Sequence, residues 1–205
     1  MFIEKLVVGD MDANCYILAD EDTTEGVVID PGGSADKIMD VIQNNNLDIK
    51  YVVNTHGHID HIAANKRIME VTTAPLLIHR ADSGFLEDPK LNLSAFVGGP
   101  PLELPAADEL LEAGSQISFG QFNLEVLHTP GHTRGSICLV GDNCLFSGDT
   151  LFTQGIGRTD LATGSRDKLN QSLVEIVKLP ENLTVYPGHG STATLAQIKA
   201  SNPYI

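Results

Sequence analysis

At 205 residues with 42% apolar content, 5% aromatic and no Trp, the chain can bury a sizeable core of Val, Ile, Leu and Ala, and one domain over residues 1–205 is the expectation. A formal charge of -14 with only 13 Lys and Arg argues against a nucleic-acid binder, whose affinity rests on basic side chains displacing counterions from phosphates. No apolar run approaches the roughly 20 residues of a membrane span, and Glu4 and Lys5 stand where a signal peptide would be apolar, so a cytoplasmic protein without membrane contact is expected.

Short apolar runs at Lys5 to Val8, Cys15 to Ala19 and Gly26 to Ile29, separated by acidic and Gly turns, read as a strand meander ending in Asp30-Pro31-Gly32-Gly33. Ser34 is placed to cap a helix whose Ile38, Val41 and Ile42 share a face, and Asn44-Asn45-Asn46 closes it before a strand at Ile49 to Val53. A second helix is predicted over Ile62 to Val71, then a strand at Pro75 to Ile78. From Ser83 to Leu111 the chain is rich in Pro, Gly and acidic residues without periodicity; so long a stretch reads as a covering loop and a pocket wall. Strands follow at Gln116 to Phe119, Phe122 to Leu127, Ser136 to Val140 and Cys144 to Phe146. A helix from about Asp167 to Lys178, a strand at Leu183 to Tyr186 and a short C-terminal helix complete the chain. The pattern suggests two mixed sheets packed together with helices outside. Cys15, Cys138 and Cys144 lack close-spaced partners and are read as reduced core thiols.

Of the seven histidines, three fall in His56-x-His58-x-Asp60-His61. On extended backbone His56 and His58 point the same way, while Asp60 and His61 begin a tighter turn and present a second group. Such a cluster is costly to bury without a metal. Three further places share one local pattern, a strand, then Gly, then a ligand type: Gly131-His132, Gly148-Asp149 and Gly188-His189. Glycine permits the sharp exit that sets the next side chain over a sheet end. Imidazole and carboxylate donors suit zinc, iron or manganese rather than calcium. His79 and His128, each alone near a strand end, are read as structural.

With these motifs in view, the sequence resembles the metallo-β-lactamase superfamily and, within it, the glyoxalase II-like hydrolases. The resemblance runs from Asn14-Cys15-Tyr16 and Asp30-Pro31-Gly32 through Thr55 to His61, Thr129-Pro130-Gly131-His132-Thr133, Ser147 to Phe152, Gly157-Arg158-Thr159-Asp160 and Pro187-Gly188-His189-Gly190. It implies an α/β fold, the αββα four-layer sandwich, with two divalent metal ions, zinc foremost and iron or manganese as alternatives. His56, His58 and His132 are given to the first metal, Asp60, His61 and His189 to the second, and Asp149 bridges them. The resemblance also implies that Asp30 orients a ligand imidazole, and Arg158 with Asp160 is expected to brace the Asp149 loop by an ion pair.

The expected activity is hydrolysis of a small-molecule thioester by hydroxide held between the metals, with Asp60 and Asp149 as the catalytic carboxylates. Glyoxalase II enzymes carry a further C-terminal helical region that helps hold glutathione; here only sixteen residues follow His189, which puts glutathione selectivity in doubt. The rival reading is a mononuclear iron persulfide dioxygenase-like enzyme using His56, His132 and Asp149, against which Ile156 stands where a Cys is usual. A lactonase or β-lactamase is a further alternative; a nuclease, against the acidic charge, and a non-enzymatic metal-binding module, against the complete ligand set, rank below it. Asn92, Ser94 and Phe152 are pocket candidates by loop position.

Overall fold

The computed structural model describes residues 1–205. The chain opens with an antiparallel meander, β1 (Phe2–Val8), β2 (Ala13–Ala19) and β3 (Glu25–Ile29). Helix α1 (Ala35–Asn44) then returns it to β4 (Asp48–Asn54), parallel to β3. The short α2 (Ile59–Ile62) and α3 (Asn65–Thr72) lead to β5 (Leu76–His79), and β6 (Glu109–Leu111) closes a six-stranded sheet in chain order.

The second sheet holds β7 (Gln116–Phe119), β8 (Phe122–His128), β9 (Ile137–Val140), β10 (Cys144–Gly148), β11 (Thr184–Pro187) and β12 (Ala193–Thr194), again six neighbours in order. Helix α4 (Arg166–Ile176) makes the crossover that lets β11 lie parallel to β10, and α5 (Leu195–Ser201) follows β12. No helix is long and apolar enough to cross a membrane.

Three apolar clusters make four layers of these elements. In β2 every side chain is buried, and alternation sends Cys15 and Ile17 toward α1 and α3 while Tyr16 and Leu18 face the other sheet. The inter-sheet cluster adds Val27, Ile29, Val53, Leu139 and Phe146; the third, between the second sheet and α4 and α5, holds Leu145, Leu169, Val185 and Ile198. Each such apolar side chain contributes roughly 1.5–3 kcal/mol on full burial, so the αββα sandwich rests on apolar packing. All three cysteines are buried and unpaired.

The site is placed by strand direction. Because β9 runs antiparallel to both β8 and β10, and β11 parallel to β10, the C-terminal ends of β8, β10 and β11 share one edge. A hydrogen bond from Ile137 N to Thr55 O (2.9 Å) brings the end of β4 to the same edge.

Three local expectations differ from the structure. Ser34 takes a left-handed conformation (φ 48°) and makes no side-chain cap; its Oγ instead accepts from Gly9 N at 3.2 Å. The helix predicted at Ile62 to Val71 is split: Ala64 N donates to Pro31 O (2.8 Å) rather than to the carbonyl four residues before it, because the Pro31-Gly32 turn docks there. The segment expected as a covering loop, Ser83 to Leu111, is entered by a 3₁₀ turn at Arg80–Phe85 and ends in β6 at Glu109–Leu111.

Candidate metal centre

Beyond β4, Asn54 leads into Thr55-His56-Gly57-His58, and α2 begins at Ile59, so Asp60 and His61 sit in its first turn. His132 follows β8, Asp149 follows the last residue of β10, and His189 lies two residues past the end of β11. Glycine is required at these exits. Gly148 has φ +47°, and a Cβ there would lie 2.5 Å from Thr55 Oγ1.

All seven residues singled out for metal binding converge. Ligating atoms of His56, His58 and His132 lie within 4.8 Å of one another, as do those of Asp60, His61 and His189, and those of His56, His61 and Asp149. Asp149 spans the two triads: its Oδ1 is 3.5 Å from His61 Nε2, and its Oδ2 is 3.7 Å from both His132 Nε2 and His189 Nε2. Asp60 Oδ2 faces His189 Nε2 at 3.2 Å and His61 Nε2 at 3.6 Å, and His58 Nδ1 lies 2.9 Å from His132 Nε2.

The far nitrogen of several rings is already engaged. His132 Nδ1 donates to Arg158 O at 2.8 Å, His61 Nδ1 to Asp30 Oδ2 at 3.0 Å, and His56 Nδ1 meets Thr55 Oγ1 at 3.3 Å. Nε2 of His56, His58 and His61 and Oδ1 of Asp149 are buried with no hydrogen-bond partner. Buried polar atoms without partners cost roughly 1–3 kcal/mol each, and a cation satisfies such atoms in one step. The donor set, five imidazoles and two carboxylates, fits a pair of divalent cations.

The electrostatics point the same way. Burial opposes charge on His61, yet Asp60, Asp149 and Asp30 around it outweigh that and lift its pKa to about 10. Burial also opposes charge on the Asp60 carboxyl, but His61 and His189 hold it below the usual carboxylate range. His189 is raised by its hydrogen bond to Asp60. On the other side, burial pushes His56 well down and His58 to about 3, neighbouring imidazoles adding to the effect. One half of the site is thus poised to hold positive charge, and the other offers neutral nitrogen lone pairs.

Asp30, 1% exposed, accepts from Thr55 N (2.7 Å) and Thr55 Oγ1 (2.6 Å) as well as facing His61. The Arg158 side chain pairs with Asp160 through two 2.8 Å bonds in solvent; only its backbone carbonyl touches a ligand residue. Asn92 and Ser94 are loop staples rather than pocket residues: Asn92 Nδ2 donates to Phe85 O and Leu102 O, and Ser94 Oγ accepts from Leu102 N. Phe152 does flank the site, its ring 6.2 Å from that of His189. Val97 and Gly98 of the covering segment join Gly9, Met11, Ile59 and Asp60 around a cavity of about 460 Å³. His79 and His128 stay apart from the cluster, stacked on each other at 4.0 Å. Sequence reasoning missed Asp82, wholly buried against the His56–His58 and His132–Ser136 loops, and the Asn54–Asn65 pair that holds His61 O. Nothing in their local sequence signals those contacts.

The model of the metallo-beta-lactamase superfamily matches residues 8–189. A probable metallo-hydrolase of Bacillus subtilis, YqgX, is 36% identical over 98% of this chain and 96% of its own length. The hydroxyacylglutathione hydrolase GloC of Haemophilus influenzae is 32% identical over 100% and 98%. Among solved structures, the B3 metallo-beta-lactamase BLEG-1 superposes with a TM-score of 0.94 at 36% identity, covering 99% of both chains. ETHE1 of Myxococcus xanthus gives 0.80 at 29%, covering 99% of this chain and 84% of its own. A di-iron-bound protein, TTHA1623, gives 0.86 at 31%, with both chains covered in full.

Proposed function

The chain belongs to the metallo-beta-lactamase superfamily, and from that premise we propose that it is a binuclear metal-dependent hydrolase of small-molecule thioesters. The observation that carries the proposal is the second triad. Asp60, His61 and His189 are all present and converge, and Asp149 reaches both triads. A mononuclear enzyme using only His56, His132 and Asp149 has no need of that second set.

Two divalent cations, zinc in the first instance, would supply Lewis acidity and lower the pKa of water toward about 7. His56, His58 and His132 would hold one and Asp60, His61 and His189 the other, with Asp149 between. Asp60 belongs both to its triad and to the cavity wall. Its carboxylate, kept ionised by His61 and His189, is therefore placed to hold a cation and to accept a hydrogen bond that orients the attacking water. Met11, Ile59 and Val97 give the cavity apolar walls against which an acyl group would lie out of bulk water. No thiolate nucleophile competes: burial pushes Cys138 and Cys144 up to about 11 and raises Cys15 further from ionisation.

The thioester reading draws on the likeness to GloC, and two other likenesses define its rivals, β-lactam hydrolysis from BLEG-1 and iron chemistry from the di-iron-bound TTHA1623. Metal content of tag-free protein, with turnover of lactoylglutathione, a β-lactam and a lactone, decides among them. About two equivalents of zinc with thioester turnover is expected. One equivalent of iron, with oxygen consumed on addition of glutathione persulfide, would overturn the proposal.

A further inference from the structure

Two buried polar side chains outside the seven ligand residues each grip loops that carry one triad's ligands. Asp82, in the Arg80–Phe85 turn after β5, has no exposed surface. Its Oδ2 accepts from Gly57 N (3.2 Å), between His56 and His58, and from Thr133 Oγ1 (2.6 Å), next to His132; its Oδ1 accepts from Gly135 N (2.7 Å). A carboxylate buried so completely is tolerable only because its oxygens are satisfied, and every donor lies in one of the two loops that carry His56, His58 and His132. The packing agrees. A Cβ on Gly57 would fall 2.3 Å from Phe85 of the same turn, and one on Gly135 would fall 2.5 Å from Asp82 itself.

Asn14 does the same on the other side. It is 1% exposed, its backbone N donates to Gly188 O (2.7 Å), and its Nδ2 donates to Pro187 O (2.8 Å) and Gly190 O (2.9 Å). Tyr16 Oη adds a bond to Pro187 O at 2.6 Å. The residues before and after His189 are thus fixed to β2 of the opposite sheet.

We infer that Asp82 and Asn14 are positioning residues, one for each cation of the binuclear site: Asp82 sets the His56, His58 and His132 triad, and Asn14 sets His189 in the second. The inference rests on the binuclear reading. Its consequence is selectivity: loss of Asp82 weakens one cation and loss of Asn14 the other, each by roughly 10–100-fold, the usual cost of removing a group that orients a ligand.

The test is zinc binding to the full chain, measured by competition with a chromophoric chelator, so that it does not depend on turnover. Asp82→Asn and Asn14→Ala are each placed in a His189→Ala background, which keeps the first triad, and in a His58→Ala background, which keeps the second. Expected is a crossed result. Asp82→Asn weakens zinc only where the first triad remains, and Asn14→Ala only where the second remains. Thr133→Val and Tyr16→Phe, which remove a single bond from each clamp, should give smaller shifts in the same crossed pattern and serve if the stronger variants do not fold. Equal weakening of both sites by both residues would mean a general loss of stability and overturn the inference, as would unchanged affinities. A wild-type chain that binds only one zinc would overturn the binuclear reading itself; two zincs with uncrossed variants would sink only the assignment of Asp82 and Asn14.

Discussion

Gly188→Ala tests the geometry of the centre with the smallest possible change. A Cβ at Gly188 would lie 2.1 Å from Asp149 Oδ1 and 2.8 Å from His61 Cε1. Ordinary contact is about 3.5 Å, so Asp149 must retreat by on the order of 1 Å. The backbone cannot absorb this, because Gly188 N is bonded to Gly148 O (2.8 Å) and Gly188 O to Asn14 N (2.7 Å). A misplacement of about 1 Å costs roughly 100-fold in rate, equivalent to about 2.7 kcal/mol. Overpacking costs a further ~1–3 kcal/mol of stability, with Tm falling about 2–4 °C per kcal/mol at this chain length. The assay is kcat/KM on a thioester alongside zinc content and melting of the metal-free protein. Gly155→Ala, whose Cβ would meet nothing within 4 Å, is the control and should behave as wild type. A Gly188→Ala protein with wild-type kcat/KM and two zincs would refute the close packing of Asp149 beneath this loop.

Asp30→Asn should weaken the zinc held by His61 by about 10–100-fold, since Asp30 faces His61 Nδ1 at 3.0 Å; chelator competition that finds no change would remove its orienting role. Arg158→Ala should leave turnover unchanged and stability within about 1 kcal/mol, because the ion pair to Asp160 is in solvent and Arg158 meets His132 through its backbone carbonyl, which the substitution keeps; a large fall in kcat would contradict that account. Burial, with His128 stacked on it, depresses His79 to about 4, so the fold favours its neutral form. This contribution is complete above pH 6.5 and is lost as pH falls from there toward 4. It would be about 3 kcal/mol at face value and nearer 1 after allowing for solvent screening. Denaturant titrations of wild type and His79→Gln at pH 7 and pH 4.5 should show a smaller acid loss in the variant, and parallel curves would count against the assignment.

What the sequence reveals of this centre follows from how local each contact is. His56, His58, Asp60 and His61 are legible because four costly polar groups within six residues have few reasons to coexist. His132, Asp149 and His189 are legible because the strand-glycine-ligand pattern describes a backbone exit, and Gly148 and Gly188 do meet Thr55 and Asp149 at distances no side chain allows. The roles of Asp82 and Asn14 are illegible for the opposite reason, although Asn14 belongs to a motif that carries the resemblance. Apart from Thr133 Oγ1 their partners are backbone groups, 53 and 176 residues away in the longest cases, and a backbone N–H or C=O leaves no mark in the residue type. The break between α2 and α3 was hidden likewise, since it is made by Pro31 O from another part of the chain. β6 escaped because, of its three residues, only Leu111 is buried.

The seven candidate ligands are divided between the sheets, which would make metal binding a stabiliser of their docking. His56, His58, Asp60 and His61 follow β4 of the first sheet, while His132, Asp149 and His189 follow β8, β10 and β11 of the second. The clamps also cross between sheets: Asp82 lies beyond β5 and grips the loop after β8, and Asn14 in β2 grips the loop after β11. Neither triad is complete until the sheets have docked, so cations that bind only the folded chain stabilise that docking by mass action, by about 4 kcal/mol at a free concentration a thousandfold above Kd. The unpartnered Nε2 atoms of His56, His58 and His61 and Oδ1 of Asp149 weaken the sandwich on their own, and cations held between the sheets would offset that cost.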